Sequence, residues 1–251
     1  MADLASGPLV LFHASDLHFG AEDRSALNWF MDEVARERPA MVICTGDLTM
    51  RGTAREFAMA QAWLEQLPVP VMLEPGNHDV PYYWFPVRRM VSPYARFRAL
   101  RKAVEGERSL SQLAVVSLKT VGRAQLRLNW SKGRIRKREL DETLRSLASH
   151  ADRPLRLVTC HHPLIDADLS GSSSTHGGKR ALAALARAGA DAVLSGHVHD
   201  AFDETIEADG LPIRLIGAGT LSERLRTTRP GYNRLEWSVD GGLTVQPQSM
   251  P

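Results

Sequence analysis

Five short polar turns, each at the end of an apolar, β-branched run, constrain this chain more than any other feature. They are Asp16-Leu17-His18, Gly46-Asp47, Gly76-Asn77-His78-Asp79, His161-His162-Pro163 and Gly196-His197-Val198-His199. The runs that precede them, residues 9–12, 41–45, 69–74, 155–160 and 192–195, read as buried strands. Side chains delivered from the ends of several strands can converge on one rim of a sheet, where open α/β folds place their chemistry. The pattern is that of a metal site. In an extended segment residues i and i+2 point the same way, so Asp16 and His18 are expected to share one ion.

The stretches between these runs complete an α/β order. Residues 21–38 carry helical periodicity at Leu27, Phe30, Met31 and Val34, ended by Pro39. Thr53 with Glu56 three residues on forms a capping box for a helix to about residue 67. Helix and strand alternating in this way argue a layered sheet protein of class α/β. From residue 80 to 108 the pattern loosens. The aromatic run Tyr82, Tyr83, Trp84 and Phe85 precedes Pro86 and Pro93, and a basic helix-like stretch with Arg96, Arg98, Arg101 and Lys102 follows. This reads as an insertion beside the site, usable as a cover or as a contact between copies. Residues 113–118 and 124–128 look like strands and 139–148 like a helix. A Ser/Gly-rich loop over 166–178, holding His176, is polar enough to flank a pocket. A helix at 179–188 follows, and strands at 201–208, 213–217, 232–239 and 243–248 close the chain. With 251 residues, 43% of them hydrophobic, one domain spanning 1–251 can fill its core.

Charge and cysteine content narrow the function. Charged residues make up 24% and the formal net charge is +2, which permits anionic substrates without demanding nucleic acid. Cys44 and Cys160 both lie in apolar runs, as buried free thiols of a reducing compartment do. No apolar run approaches the ~20 residues of a membrane helix, and Met1-Ala2-Asp3-Leu4 lacks the basic region of a signal peptide. The expectation is a soluble cytoplasmic protein without a membrane span.

The donors are two carboxylates (Asp16, Asp47), one amide (Asn77) and four imidazoles: His18, one of the His161-His162 pair, His197 and His199. A mixed O/N set without thiolate suits Mn, Fe(II), Co or Zn in five- or six-coordinate geometry and disfavours a structural zinc site. Seven donors exceed what one open ion needs, yet they fit two ions sharing a carboxylate. Two metals ~3.5–4 Å apart clamp the attacking and leaving oxygens of an in-line phosphoryl displacement.

In number and order the five motifs resemble those of the calcineurin-like metallophosphoesterase family. The resemblance implies an αββα sandwich of two mixed β-sheets flanked by helices. It also implies that Asp16, His18, Asp47 and His199 bind one metal and Asp47, Asn77, His161 and His197 the other. Asp47 would bridge, and Pro163 selects His161 over His162, because the family's ligand lies two residues before the proline. His78 would sit over the leaving oxygen as acid or electrostatic stabiliser. In the protein-phosphatase branch, the third residue after the bridging aspartate is a second aspartate that orients this histidine, followed by a phosphate-holding arginine. Here the run is Asp47-Leu48-Thr49-Met50-Arg51, so Arg51 matches but Met50 stands in for the carboxylate, and Asp79 or another group must orient His78. The run around Gly46-Asp47-Leu48-Thr49 and the His161-His162-Pro163 form resemble instead the bacterial branch of cyclic-nucleotide and glycerophospho-diesterases.

The expected function is therefore a phosphodiesterase with two divalent ions, Mn²⁺ or Fe²⁺ ahead of Zn²⁺ or Co²⁺, in which a metal-bridging hydroxide attacks a small phosphodiester such as a 3′,5′-cyclic nucleotide. Arg51, His176 and Arg224, the last beyond the bend Gly217-Ala218-Gly219, are the expected substrate contacts. Within the same family a nucleolipid (UDP-sugar lipid) pyrophosphatase or a nuclease is the alternative, although nucleic acid is not the favoured partner. A non-catalytic scaffold would lack ligands, and all seven are present.

Overall fold

Alternation along the first strand separates two apolar layers. In β1 (Leu9–Ala14), Leu9 and Leu11 face one cluster while Val10, Phe12 and Ala14 face another, as the two-residue period of a strand requires. A computed structural model of the chain describes residues 7–81, 91–106, 110–122, 132–165 and 175–251. There β1 is followed by α1 (Arg24–Glu37), β2 (Met41–Cys44), α2 (Ala54–Leu64), β3 (Val71–Leu73), α3 (Ala95–Val104), β4 (Leu113–Ser117), α4 (Lys137–Ser149), β5 (Leu155–Thr159), α5 (Gly178–Arg187), β6 (Ala192–Ser195), β7 (Phe202–Ala208), β8 (Leu211–Gly217), β9 (Gly231–Ser238) and β10 (Gly242–Ser249).

Two five-stranded mixed sheets result. One has the order β10-β9-β1-β2-β3, with β1, β2 and β3 parallel and β9 antiparallel to both its neighbours. The other has the order β4-β5-β6-β8-β7, parallel except for β7 at its edge. Leu11, Ile43, Leu157, Leu194, Ile216 and Leu235 meet between the sheets. Phe12, Val42 and Leu73 pack under Phe30 of α1, Trp63 of α2 and Phe97 of α3; Val158, Val193 and Leu215 pack under Leu147 of α4 and Leu185 of α5. The layers are α, β, β, α, as the family resemblance implies. Phe12, fully buried with its ring centroid 4.5 Å from that of Tyr232, contributes on the order of 2–3 kcal/mol by burial.

Local chemistry sets the ends of the elements. Asp23 caps α1 by accepting from the peptide N–H groups of Ser25 and Ala26, so the helix starts at Arg24 rather than residue 21. The capping box of Thr53 and Glu56 is formed, and α2 stops at Leu64, short of residue 67. Strand β3 begins at Val71 because Pro70 has no N–H to give to the ladder. The basic stretch of the expected insertion is helix α3, with Phe97 and Leu100 buried. Residues 82–90, with the aromatic run, and the expected strand at 124–128 lie outside the described residues, as does most of the Ser/Gly loop. Among the described residues no helix is long and apolar enough to cross a membrane.

Near the rim one buried carboxyl ties the sheets together. Glu74, just past β3, accepts from the Thr159 hydroxyl of β5 at 2.7 Å and from the Ser117 hydroxyl of β4 at 2.8 Å.

Candidate metal centre

Parallel strands deliver the five turns to one edge. Asp16 and His18 follow β1, Asp47 follows β2, Asn77 follows β3, His161 follows β5, and His197 and His199 follow β6. The turns are stitched by backbone bonds: Asp16 N–H to Gly46 O, His18 N–H to Asp47 O, and Gly196 N–H to His161 O, each 3.0 Å. The route is not the extended one expected for Asp16 and His18. Their φ angles are 56° and 45°, and Asp47, His197 and His199 are also left-handed at 52°, 71° and 64°. Each such residue costs about 1 kcal/mol or more. The tight reversals nonetheless turn their side chains onto one point.

The donor atoms crowd without satisfying one another. Asp16 Oδ1 lies 3.1 Å from His199 Nε2 and 3.5 Å from His18 Nε2, yet it is buried and accepts no hydrogen bond from the described residues. His18 Nε2 and His199 Nε2 are 3.3 Å apart. Alongside, His161 Nε2 is 3.3 Å from Asp47 Oδ2 and 3.1 Å from Asn77 Oδ1, and His197 joins His161 with a ring-centroid separation of 5.1 Å. An orphaned buried carboxylate oxygen amid imidazole nitrogens fits a cation, and among the described residues three groups have the spacing to hold one: Asp16, His18 and His199; Asp16, Asp47 and His161; His161, His162 and His197.

The sequence profile of calcineurin-like phosphoesterases matches residues 9–201, which include all five turns. The chain belongs to the calcineurin-like phosphoesterase family. It is 35% identical over 83 residues to the glycerophosphodiester phosphodiesterase GpdQ of Enterobacter lignolyticus, a match covering 28% of this chain and 30% of that one. It is 24% identical over 251 residues to a probable cyclic nucleotide phosphodiesterase of Synechococcus, covering 95% and 91% of the two chains. The fold matches a dimetal phosphatase from Danio rerio with a TM-score of 0.65 at 13% identity, over 97% of this chain and 100% of that one. As a calcineurin-like phosphoesterase the protein is a metal-dependent phosphoric ester hydrolase.

In this phosphoesterase the imidazoles are aimed by backbone carbonyls. The Nδ1–H groups of His78, His161 and His199 donate to the carbonyls of Met50 (2.7 Å), Thr45 (2.8 Å) and Arg224 (2.5 Å). Each ring is thereby fixed in the tautomer that leaves Nε2 facing the site. The missing carboxylate at position 50 is thus replaced by that residue's own peptide oxygen, not by Asp79. Asp79 instead clamps two turns, accepting from Leu48 N–H, Thr49 N–H, the Thr49 hydroxyl and Gly76 N–H. Gly76 must lack a side chain, because a methyl there would meet the Asp47 carboxylate and amide.

Electrostatics follows from burial and crowding. Burial alone would raise the Asp47 carboxyl, but the neighbouring His161, His78 and His18 outweigh it and hold the group well below the ordinary carboxylate range. Burial likewise works against His161, and the adjacent Asp47 overrides it, lifting the imidazole to about 9. For His197 burial and the His161 charge act together and depress it to about 3. Asp79, buried and beside Asp47, is raised to about 6.

All seven expected donors, with His78, are brought together. The expected substrate contacts divide. Arg224 Nη1 lies 3.2 Å from His78 Nε2 and 3.3 Å from His18 Nε2. Arg51 is exposed at the rim, its peptide N–H bonded to Glu56. His176 is exposed and held by backbone pairing with Gly133 and Ile135; among the described residues no hydrogen bond joins it to the donors. Sequence reasoning passed over His162 as a donor; it is buried, 4.6 Å ring to ring from His197, with Nδ1 3.0 Å from the Thr120 hydroxyl. Its place next to His161 was the only signal.

Proposed function

We propose that this hydrolase is a binuclear phosphodiesterase acting on a small phosphodiester, with 3′,5′-cyclic nucleotides as the leading class. One observation carries the reading: Asp47 Oδ2 lies 3.9 Å from His18 Nε2 and 3.3 Å from His161 Nε2, so a single carboxylate faces both donor groups. Asp16, His18, Asp47 and His199 would hold one ion and Asp47, Asn77, His161 and His197 the other. The oxygen- and nitrogen-rich, thiolate-free set suits Mn²⁺ or Fe²⁺ first, then Zn²⁺ or Co²⁺. When bound, two such ions would supply Lewis acidity to the phosphoryl group and lower the pKa of a water enough to make it a nucleophile at neutral pH.

The chain's own groups do the rest. His78, its Nδ1–H committed to the Met50 carbonyl, presents Nε2 to the departing alkoxide and, when the ring is protonated at that atom, gives the alkoxide its proton. Arg224, with Nη1 3.2 Å from that Nε2, and Arg51 at the rim would meet the phosphoryl oxygens. Diester rather than monoester chemistry is supported by the names of the two relatives, and a small substrate by the near-neutral net charge. We read the described elements with the 80–108 insertion as one domain.

The test is hydrolysis of bis(p-nitrophenyl) phosphate beside p-nitrophenyl phosphate, after chelation and resupply of each metal. Faster, metal-restored diester cleavage is expected, and His78→Ala should cut turnover on the order of 100-fold with metal content unchanged. A monoester preference overturns the diesterase reading, and metal loss in His78→Ala overturns that residue's role.

A further inference from the structure

Arg224 is a half-buried cation without a carboxylate partner among the described residues. Among the described residues its guanidinium makes no salt bridge, and its side-chain partners are the Nε2 atoms of His78 and His18. Holding a guanidinium there takes structure, because a free arginine side chain samples many rotamers and prefers water or an acidic partner. The structure supplies it from the turn that carries His199. The next residue, Asp200, accepts four hydrogen bonds from one loop: Thr227 N–H (3.2 Å), the Thr227 hydroxyl (2.8 Å), Thr228 N–H (3.2 Å) and the Thr228 hydroxyl (2.9 Å). The other end of that loop is fixed by Arg224 itself, whose carbonyl accepts from His199 Nδ1 and whose N–H donates to Ser222 Oγ at 3.3 Å. Ser222 Oγ is in turn 2.7 Å from Thr220 Oγ1, which donates to the Asp16 carbonyl at 2.7 Å.

We propose that residues 224–228 form a phosphate-gripping strap, in which Arg224 takes the non-reacting phosphoryl oxygens and Asp200 is the positioning residue that holds the strap over the metal centre. The inference rests on the phosphoesterase site proposed above and adds a specificity element to it. Asp200 never touches substrate; it sets where the strap crosses the site and so where Nη1 points. A cation aimed by a short loop tied at both ends loses little freedom on binding an anion, which is how preorganisation raises affinity. Arg226 and Arg229 lie on the same exposed segment and keep the approach to Arg224 positive.

The experiment uses the full chain loaded with Mn²⁺ and inorganic phosphate as the probe, with affinity read by calorimetry and metal content by atomic absorption. The variants are Arg224→Ala, Asp200→Ala and their combination. Arg224→Ala keeps the carbonyl that holds His199, so metal content should stay at the wild-type level while phosphate affinity falls at least 10-fold. Asp200→Ala should lose about 5- to 10-fold, and the double variant should be no worse than Arg224→Ala alone, because both act through one guanidinium. On bis(p-nitrophenyl) phosphate the loss should appear mainly in KM. Should Asp200→Ala fail to fold, Thr227→Val with Thr228→Val removes the hydroxyl donors and should shift phosphate affinity in the same direction. Unchanged affinity in the Asp200 or threonine variants, additive losses, or metal loss in Asp200→Ala overturns the strap. A wild type that cleaves no diester refutes the diesterase reading alone, since phosphate affinity still decides the strap.

Discussion

Replacing Glu74 with glutamine should make stability less sensitive to pH. Burial between the sheets raises this carboxyl from 4.5 to about 7, against the opposing pull of the Thr159 and Ser117 hydroxyls and of Arg101, with Glu105 adding to the rise. The folded chain therefore keeps a proton, between pH 4.5 and about 7, that the unfolded chain has released. Stability is full below 4.5, falls as pH rises through that window, and above it carries the whole charging penalty. At about 1.4 kcal/mol per unit, the 2.5-unit shift corresponds to roughly 3 kcal/mol, of which about 2.5 kcal/mol develops between pH 5 and pH 8. Glutamine has nearly the same shape, can still accept from Thr159 and can donate to the Ser117 hydroxyl, and does not titrate. The assay is urea unfolding of chelator-stripped wild type and Glu74→Gln at pH 5 and pH 8. Other titrating groups cancel in the difference, which should grow in the variant's favour by about 2.5 kcal/mol, roughly 1 M in midpoint. Parallel pH profiles for the two proteins would refute a buried, proton-holding carboxyl.

Three further outcomes follow from the site. With His161 lifted to about 9 by Asp47, the metal-free centre holds a proton at pH 7 that an incoming cation must displace, so affinity should rise with pH up to about 9; calorimetry in two buffers of different ionisation enthalpy should show release of about one proton, and no buffer dependence would contradict this. Asp79→Asn should destabilise by about 2–4 kcal/mol, because an amide nitrogen would face the N–H groups of Leu48 and Gly76 that now share one carboxylate oxygen; an unfolding midpoint equal to wild type would count against the clamp. Gly76→Ala should lower both thermal stability and metal content, since its methyl drives into Asp47; retention of full metal content would show that the turn can yield.

Much of this was legible because it is local. An apolar β-branched run followed by a glycine turn marks a strand end, and the strands from β1 to β3 and from β5 to β6 stand where the runs placed them. The Thr53 and Glu56 box lies within four residues, and its helix formed. The two-residue argument for Asp16 and His18 reached the right neighbours by the wrong route, because the left-handed backbone of a turn has no period to read. With Met50 in place of a carboxylate, the group that orients His78 is a peptide oxygen, which every residue has and no motif can flag.

The sequence by itself determined the donor types, their order and their place at the ends of strands, since these depend on residue chemistry and on patterns spanning a few positions. Tertiary structure alone decided that β9 lies between β1 and β10 and that β8 lies between β6 and β7. It also decided that Glu74 meets Thr159 across 85 positions and that Asp200 holds the loop of Arg224. Such pairings depend on where the whole chain brings two distant segments once its apolar faces are buried, and neither partner carries a local mark of the other.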